Sequence, residues 1–165
     1  GYKDSCKVAV TIPGNGLKGD YYNNMYLSGN IAVTRTDPNI DFLYDLNSYA
    51  DGQAVDSFSV RWTGQVVPLF TETYTFETAC DDGTRLWVND TLLIDNWIDQ
   101  SETKKTGIID LTAGMKYNVK MEYYENAYGA SAHLRWSSVR QVYEVIPQDQ
   151  LYSSYTPISV KGITF

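Results

Sequence analysis

Between Lys116 and Tyr123 apolar and polar residues alternate without a break. Tyr117, Val119, Met121 and Tyr123 share one face, and Lys116, Asn118, Lys120 and Glu122 share the other. Successive side chains of an extended chain point to opposite sides, so this pattern specifies a strand with one face in a core and the other in water. The same period recurs in four further segments. Phe58, Val60 and Trp62 alternate with Ser59, Arg61 and Thr63; Tyr74 and Phe76 with Thr73, Thr75 and Glu77; Leu86 and Val88 with Arg85 and Trp87. Ala132, Leu134 and Trp136 oppose Ser131, His133, Arg135 and Ser137. Half-buried antiparallel strands carry this signature. No window of twelve residues holds a persuasive amphipathic helix; Ile40 to Tyr49 is the best short candidate.

Turn chemistry punctuates the runs. Ser28-Gly29, Asp51-Gly52, Asp82-Gly83, Asn89-Asp90, Ala113-Gly114 and Tyr128-Gly129 sit where strands are expected to reverse, and Val88 to Leu92 reads as a tight hairpin. Many short strands with regular turns predict an all-β fold, an antiparallel β-sandwich or barrel. The expected compact domain runs over 17–152. Residues 1–16 form an N-terminal extension, entered flexibly through Pro13-Gly14-Asn15-Gly16, and 153–165 a tail or edge strand.

Composition excludes several functions. A chain of 165 residues with 43% hydrophobic and 20% charged residues can bury a real core. Its formal charge of −7 disfavours nucleic acid and anionic membranes as partners. One histidine leaves no room for a His-rich zinc site, and no apolar run reaches the roughly 18 residues a spanning helix needs. Aromatic residues make up 14% of the chain, which suits strands and, where exposed, flat ligands and sugars. Cys6 and Cys80 form no CxxC pair; they are either a disulfide of an exported chain or two buried thiols. The opening Gly-Tyr-Lys-Asp-Ser lacks a basic and apolar leader, which reads as an intracellular chain or as a module cut from a longer exported protein with neighbouring domains; few charges and many Tyr, Asn, Ser and Thr lean to export, extracellular or at the cell surface.

Three stretches hold residues suited to chemistry. In Cys80 to Asn89, Asp81 and Asp82 follow a strand and precede Gly83. Adjacent side chains of a trans extended chain diverge, whereas a cis peptide would turn both carboxylates to one side, where a hard cation such as Ca²⁺ could take them among its six to eight oxygen ligands. The same residues also read as a solvated Asp-Asp-Gly turn. In Glu122 to Ala130, an apical loop offers the Asn126 amide, several carbonyls and the Tyr128 ring. In Ile94 to Gln100, Trp97 stands between two acids, either at a ligand rim or as a hydrophobic plug. His133 falls on a strand's polar face with no role.

The motifs Val60-Arg61-Trp62-Thr63-Gly64, Tyr74-Thr75-Phe76, Asp81 to Asn89, Leu93 to Trp97, Leu111 to Gly114 and Met121 to Asn126 occur in that order. Together they resemble the PA-14 domain family, of the anthrax protective antigen type, over Leu17 to Tyr152. Gly19-Asp20-Tyr21-Tyr22 and Ile40-Asp41-Phe42 look like its first strands. The resemblance implies a lectin-like, jelly-roll β-sandwich, here of the bacterial branch and related to yeast adhesin lectin domains. In the adhesins a cis-linked aspartate pair, an asparagine and loop carbonyls hold Ca²⁺, and sugar hydroxyls fill its open positions. Carried over, the metal ligands are Asp81, Asp82, Asn126 and the carbonyls of Tyr128 and Ala130; Gly129 and Trp97 join Asp81, Asp82, Asn126 and Tyr128 in contacting a glycan. The insertions that set sugar choice in the adhesins have no match here. The implied function is a non-catalytic, Ca²⁺-dependent carbohydrate-binding module of an exported surface, sensor or polysaccharide-degrading protein. The alternative is a structural or protein-contact module whose Ca²⁺ only stiffens loops. A glycosidase with two separated carboxylates stands third, because adjacent acids suit one shared ion better.

Overall fold

A computed structural model describes residues 12–44 and 51–153. Twelve strands and one 3-10 turn, Gln148–Gln150, account for the regular structure of these residues. The strands are β1 (Leu17–Tyr22), β2 (Val33–Asp37), β3 (Asp41–Tyr44), β4 (Phe58–Val66), β5 (Glu72–Asp81) and β6 (Gly83–Val88). They continue with β7 (Thr91–Asn96), β8 (Thr103–Leu111), β9 (Tyr117–Glu125), β10 (Ala130–Ser137), β11 (Glu144–Val145) and β12 (Leu151–Tyr152).

Two antiparallel sheets form a sandwich. One runs β2-β1-β4-β9-β6-β7, with β12 extending the β1 edge of β4; the other runs β11-β10-β5-β8, with β3 also on β10. The period-two faces place the core as expected. Phe58, Val60 and Trp62 of β4, Val119, Met121 and Tyr123 of β9, and Leu86 and Val88 of β6 meet Tyr74, Phe76, Ala132, Leu134 and Trp136 of the second sheet, all essentially inaccessible to water. Tyr74 and Trp136 pack with ring centroids 5.2 Å apart, and Trp62 stacks on Phe42 at 5.9 Å.

A charged group, Asp37, is buried beside this core. The Asp37 carboxylate accepts hydrogen bonds from the Tyr21 hydroxyl (2.6 Å) and the Trp62 indole (2.7 Å) and pairs with Arg35 at 2.6 Å. Burial, then the Asp37 charge, pushes the Tyr21 hydroxyl pKa upward. Asp37→Ala should leave two buried donors and a guanidinium without their acceptor. We expect it to cost about 3–5 kcal/mol in urea unfolding, whereas exposed Asp110→Ala should change stability by under about 1 kcal/mol.

The turn residues behave differently from one another. Asn89 and Asp90, at φ 50° and 60°, close a true hairpin between β6 and β7. Asp82-Gly83, Ala113-Gly114 and Tyr128-Gly129 do not reverse a strand within one sheet: each carries the chain from one sheet to the other. Alternation reports only which face is buried, and both kinds of connection leave it unchanged. The helix candidate at Ile40 to Tyr49 is corrected as well. Asp41–Tyr44 is strand β3, paired to β10 with Phe42 opposite Ala132, and residues 45–50 lie outside those described. Gly14, Asn15 and Gly16 are tied in: their backbone N–H groups donate to the carbonyls of Asp149 and Leu151 at 2.8–3.0 Å. Cys80 is a free, fully buried thiol, pushed up to about 12 by burial, and Cys6 lies outside the described residues.

Candidate functional site

The two cross-sheet connections at Asp82-Gly83 and Tyr128-Gly129 run over the same end of the sandwich. Ser131, next to the second, is in register with Asp81, and Gly83, next to the first, is in register with Tyr124. Gly83 is required there: a Cβ would fall 2.2 Å from the Tyr124 ring. This crossing brings the ends of β5 and β9 together. The peptide between Asp81 and Asp82 is cis. The carboxylates of Asp81, Asp82 and Glu125 converge, each offering an oxygen within 4.8 Å of the others.

Each acid of this group has a different environment. Asp82 is buried and accepts from two backbone N–H groups, Gln100 at 2.8 Å on Oδ1 and Asn126 at 2.9 Å on Oδ2; it therefore pins the 97–100 loop to the 126–129 loop. Asp81 is half-buried, and its carboxyl is raised by burial, then by Asp82 and Glu102. Glu125 is fully buried, and neither of its oxygens has a hydrogen-bond partner. Burial, then the charges of Asp82, Asp81 and Asp56, pushes it up to about 8, with the nearby Tyr123 hydroxyl opposing. A buried carboxylate without donors beside two further carboxylates is costly unless a cation or a proton compensates it. The donor set is all oxygen, which suits a hard cation of Ca²⁺ type.

Of the residues singled out in the sequence, Asp81, Asp82, Asn126 and Gly129 meet at this point. A Cβ on Gly129 would lie 3.3 Å from Asp81 Oδ2. The Asn126 side chain donates through Nδ2 to Asp99 at 3.0 Å, which leaves its Oδ1 as an acceptor. Tyr128 has φ 82° and is 97% exposed, so its ring stands free in solvent at the loop tip. Ala130 opens β10 beside the site, opposite Tyr44. Trp97 is set back from the carboxylates. It packs at 4.6 Å on Tyr124 and under the Arg85 guanidinium at 4.1 Å, half-buried, and is connected to the site through the Tyr124 hydroxyl, which donates to Asp99 at 2.6 Å.

Glu125 is absent from the ligand set that the resemblance implies, yet the sequence carries a signal for it. Continuing the alternation of Tyr117, Val119, Met121 and Tyr123 by one step puts Glu125 on the apolar face. A carboxylate there needs a partner. Asp56, Asp99 and Gln100 left no such mark, because loops from distant parts of the chain bring them in. His133 also differs from expectation. It is buried on its strand, with Nδ1 2.6 Å from Asp41 and Nε2 3.5 Å from Glu102, and takes no part in the carboxylate group.

This antiparallel sandwich, with an acidic apex held between two of its cross-sheet connections, has the fold of a PA14-type domain. Residues 13–150 match the PA14 domain family, and the chain belongs to it. Over 150 residues it is 49% identical to anti-sigma-I factor RsgI3 of Acetivibrio thermocellus, a match covering 91% of this chain and 23% of that protein. A solved anti-sigma factor domain-containing protein superposes with a TM-score of 0.82 at 50% identity, covering 88% of this chain and 50% of the other. A PA14 sugar-binding domain from an RTX adhesin shares the fold, with a TM-score of 0.69 at 20% identity over 87% of this chain and 100% of that domain. The chain thus spans half of one relative and under a quarter of another.

Proposed function

We propose that this domain is a non-catalytic, Ca²⁺-dependent carbohydrate-binding module, the polysaccharide-reading part of an exported sensor. The observation that carries this reading is the convergence of Asp81, Asp82 and the hydrogen-bond-free Glu125 within 4.8 Å. Asp81, Asp82 and Glu125, with the Asn126 amide and the loop carbonyls of Tyr128 and Ala130, would hold the ion. Bound Ca²⁺ supplies open coordination positions that vicinal sugar hydroxyls can fill. The exposed Tyr128 ring at the loop tip would then pack on the apolar face of the sugar. Three carboxylates meeting at one point suit a shared cation, not two acids on opposite sides of a glycosidic bond. The likeness to anti-sigma factors supports a sensing role, and that to a sugar-binding PA14 domain supports the ligand class.

A polysaccharide and glycan array read with Ca²⁺ and with chelator tests this. Retention through the apex should fall at least about tenfold on chelation. Tyr128→Ala should weaken glycan retention about tenfold while leaving the calorimetric Ca²⁺ affinity unchanged. Equal losses of both would mean that the ring does not contact sugar. A second reading, a calcium-stiffened contact module, is favoured by Asp82, whose oxygens already bridge two loops. A Ca²⁺-dependent rise in melting temperature with no glycan retained in either condition would select it.

A further inference from the structure

The outer face of the larger sheet carries a second concave feature, well away from the acidic apex. It is a groove of about 500 Å³ lined chiefly by Thr63, Trp87, Asp90, Asn118 and Lys120. Thr63, Lys120 and Trp87 stand side by side on β4, β9 and β6, because Thr63 is in register with Lys120 and Lys120 with Trp87. Asp90 comes from the β6–β7 hairpin. We propose that this groove is a second saccharide-binding site, one that takes a neutral pyranose unit and works without a cation.

The chemistry of the lining sets the ligand class. The Lys120 ammonium lies 3.8 Å from the centroid of the Trp87 indole and covers one ring face, so this flexible side chain must swing aside for a sugar to stack there, and it then serves as a donor to a hydroxyl. Asp90 contributes an acceptor, and among the lining side chains its charge balances that of Lys120. Asn118 and Thr63 each offer both a donor and an acceptor, with Asn118 Oδ1 contacted by Gln65 Nε2 at 3.4 Å. Sugar hydroxyls also donate and accept, and a pyranose ring has apolar C–H faces; a mixed polar lining against one indole complements both. The groove volume lies within the roughly 300–1,000 Å³ of small-ligand clefts. Lys120 and Glu125 are five residues apart on one strand, so groove and apex are separated by about 17 Å along β9. A polysaccharide chain engaging both would bind through avidity.

The test is a two-dimensional NMR titration of the 165-residue chain in chelator with neutral gluco-, xylo-, manno- and galacto-hexasaccharides. At least one sugar should shift the Trp87 indole N–H and the Asn118 side-chain amide, saturating with a Kd of about 0.1–10 mM. Asn118→Arg fills the groove from an exposed position without removing a packed ring, and should raise that Kd at least about tenfold. Asp81→Asn should leave the shifts intact. Failure of every sugar to shift Trp87 and Asn118, or shifts undiminished in Asn118→Arg, would overturn the proposal. The apical reading stands or falls separately, on Ca²⁺-dependent shifts at Asn126 and Tyr128.

Discussion

Asp81→Asn should reduce Ca²⁺ affinity at least about a hundredfold in calorimetry, a loss of roughly 3 kcal/mol, while the metal-free domain melts at the same temperature or higher. The asymmetry follows from what Asp81 does in the fold. Burial, and then its negative neighbours Asp82 and Glu102, raise its pKa. Removing that charge relieves repulsion in the metal-free state and deprives the ion of a ligand. Asp82→Ala should also lose Ca²⁺ but additionally destabilise, by about 2–3 kcal/mol, because the amides of Gln100 and Asn126 lose their acceptor. In the parent domain, Ca²⁺ at a hundred times its Kd should add about 2.7 kcal/mol, or roughly 5–10 °C in melting temperature. Unchanged calorimetric binding by Asp81→Asn would remove the carboxylate group from consideration as the metal site.

With chelator present, the melting temperature should fall as pH rises from about 5 to about 8. Glu125 is pushed up from its ordinary 4.5 to about 8, mainly by burial and then by Asp82, Asp81 and Asp56. Between these values the folded chain keeps a proton that the unfolded chain has released. The folded state therefore binds more protons, and stability declines with rising pH; the contribution is complete below pH 4.5 and gone above about 8. A loss on the order of 2 kcal/mol corresponds to about 4–8 °C. Asp81, also raised, acts in the same direction. Glu77, whose carboxyl is lowered, acts only below its ordinary 4.5 and leaves this window unaffected. Saturating Ca²⁺ should flatten or invert the trend, since the ion needs the ionised carboxylates. Glu125→Gln should abolish the slope in chelator; a slope equal to that of the parent would assign it to another group.

Both predictions turn on residues that stood differently in the sequence. Asp81 and Asp82 could be singled out because they adjoin each other before a glycine, but their spacing alone favours a capped, solvated turn. Glu125 fell on the apolar face of β9, where the alternation itself marks it as anomalous. Asp99 reaches the site only through the Tyr124 hydroxyl and the Asn126 amide, contacts that span 25 and 27 residues. By its neighbours in the sequence, Trp97 reads as a ligand rim or a hydrophobic plug. It is neither fully, being held between Arg85 and Tyr124 and joined to the acids only through Asp99.

Local sequence determined the strands, their buried faces and the hairpin at Asn89-Asp90, because those properties depend on a two-residue period and on backbone preferences at single positions. Tertiary structure alone decided that Asp82-Gly83 and Tyr128-Gly129 cross between sheets, and so which strand ends share an apex. A crossing and a hairpin bury the same faces, so alternation cannot distinguish them, whereas a shared site depends on distances between segments far apart in the chain. That is why the aspartate pair and the anomalous Glu125 were visible in the sequence, while their convergence and backbone donors emerged only from the crossing of strands between sheets, and the groove at Trp87 only from strand register within one sheet.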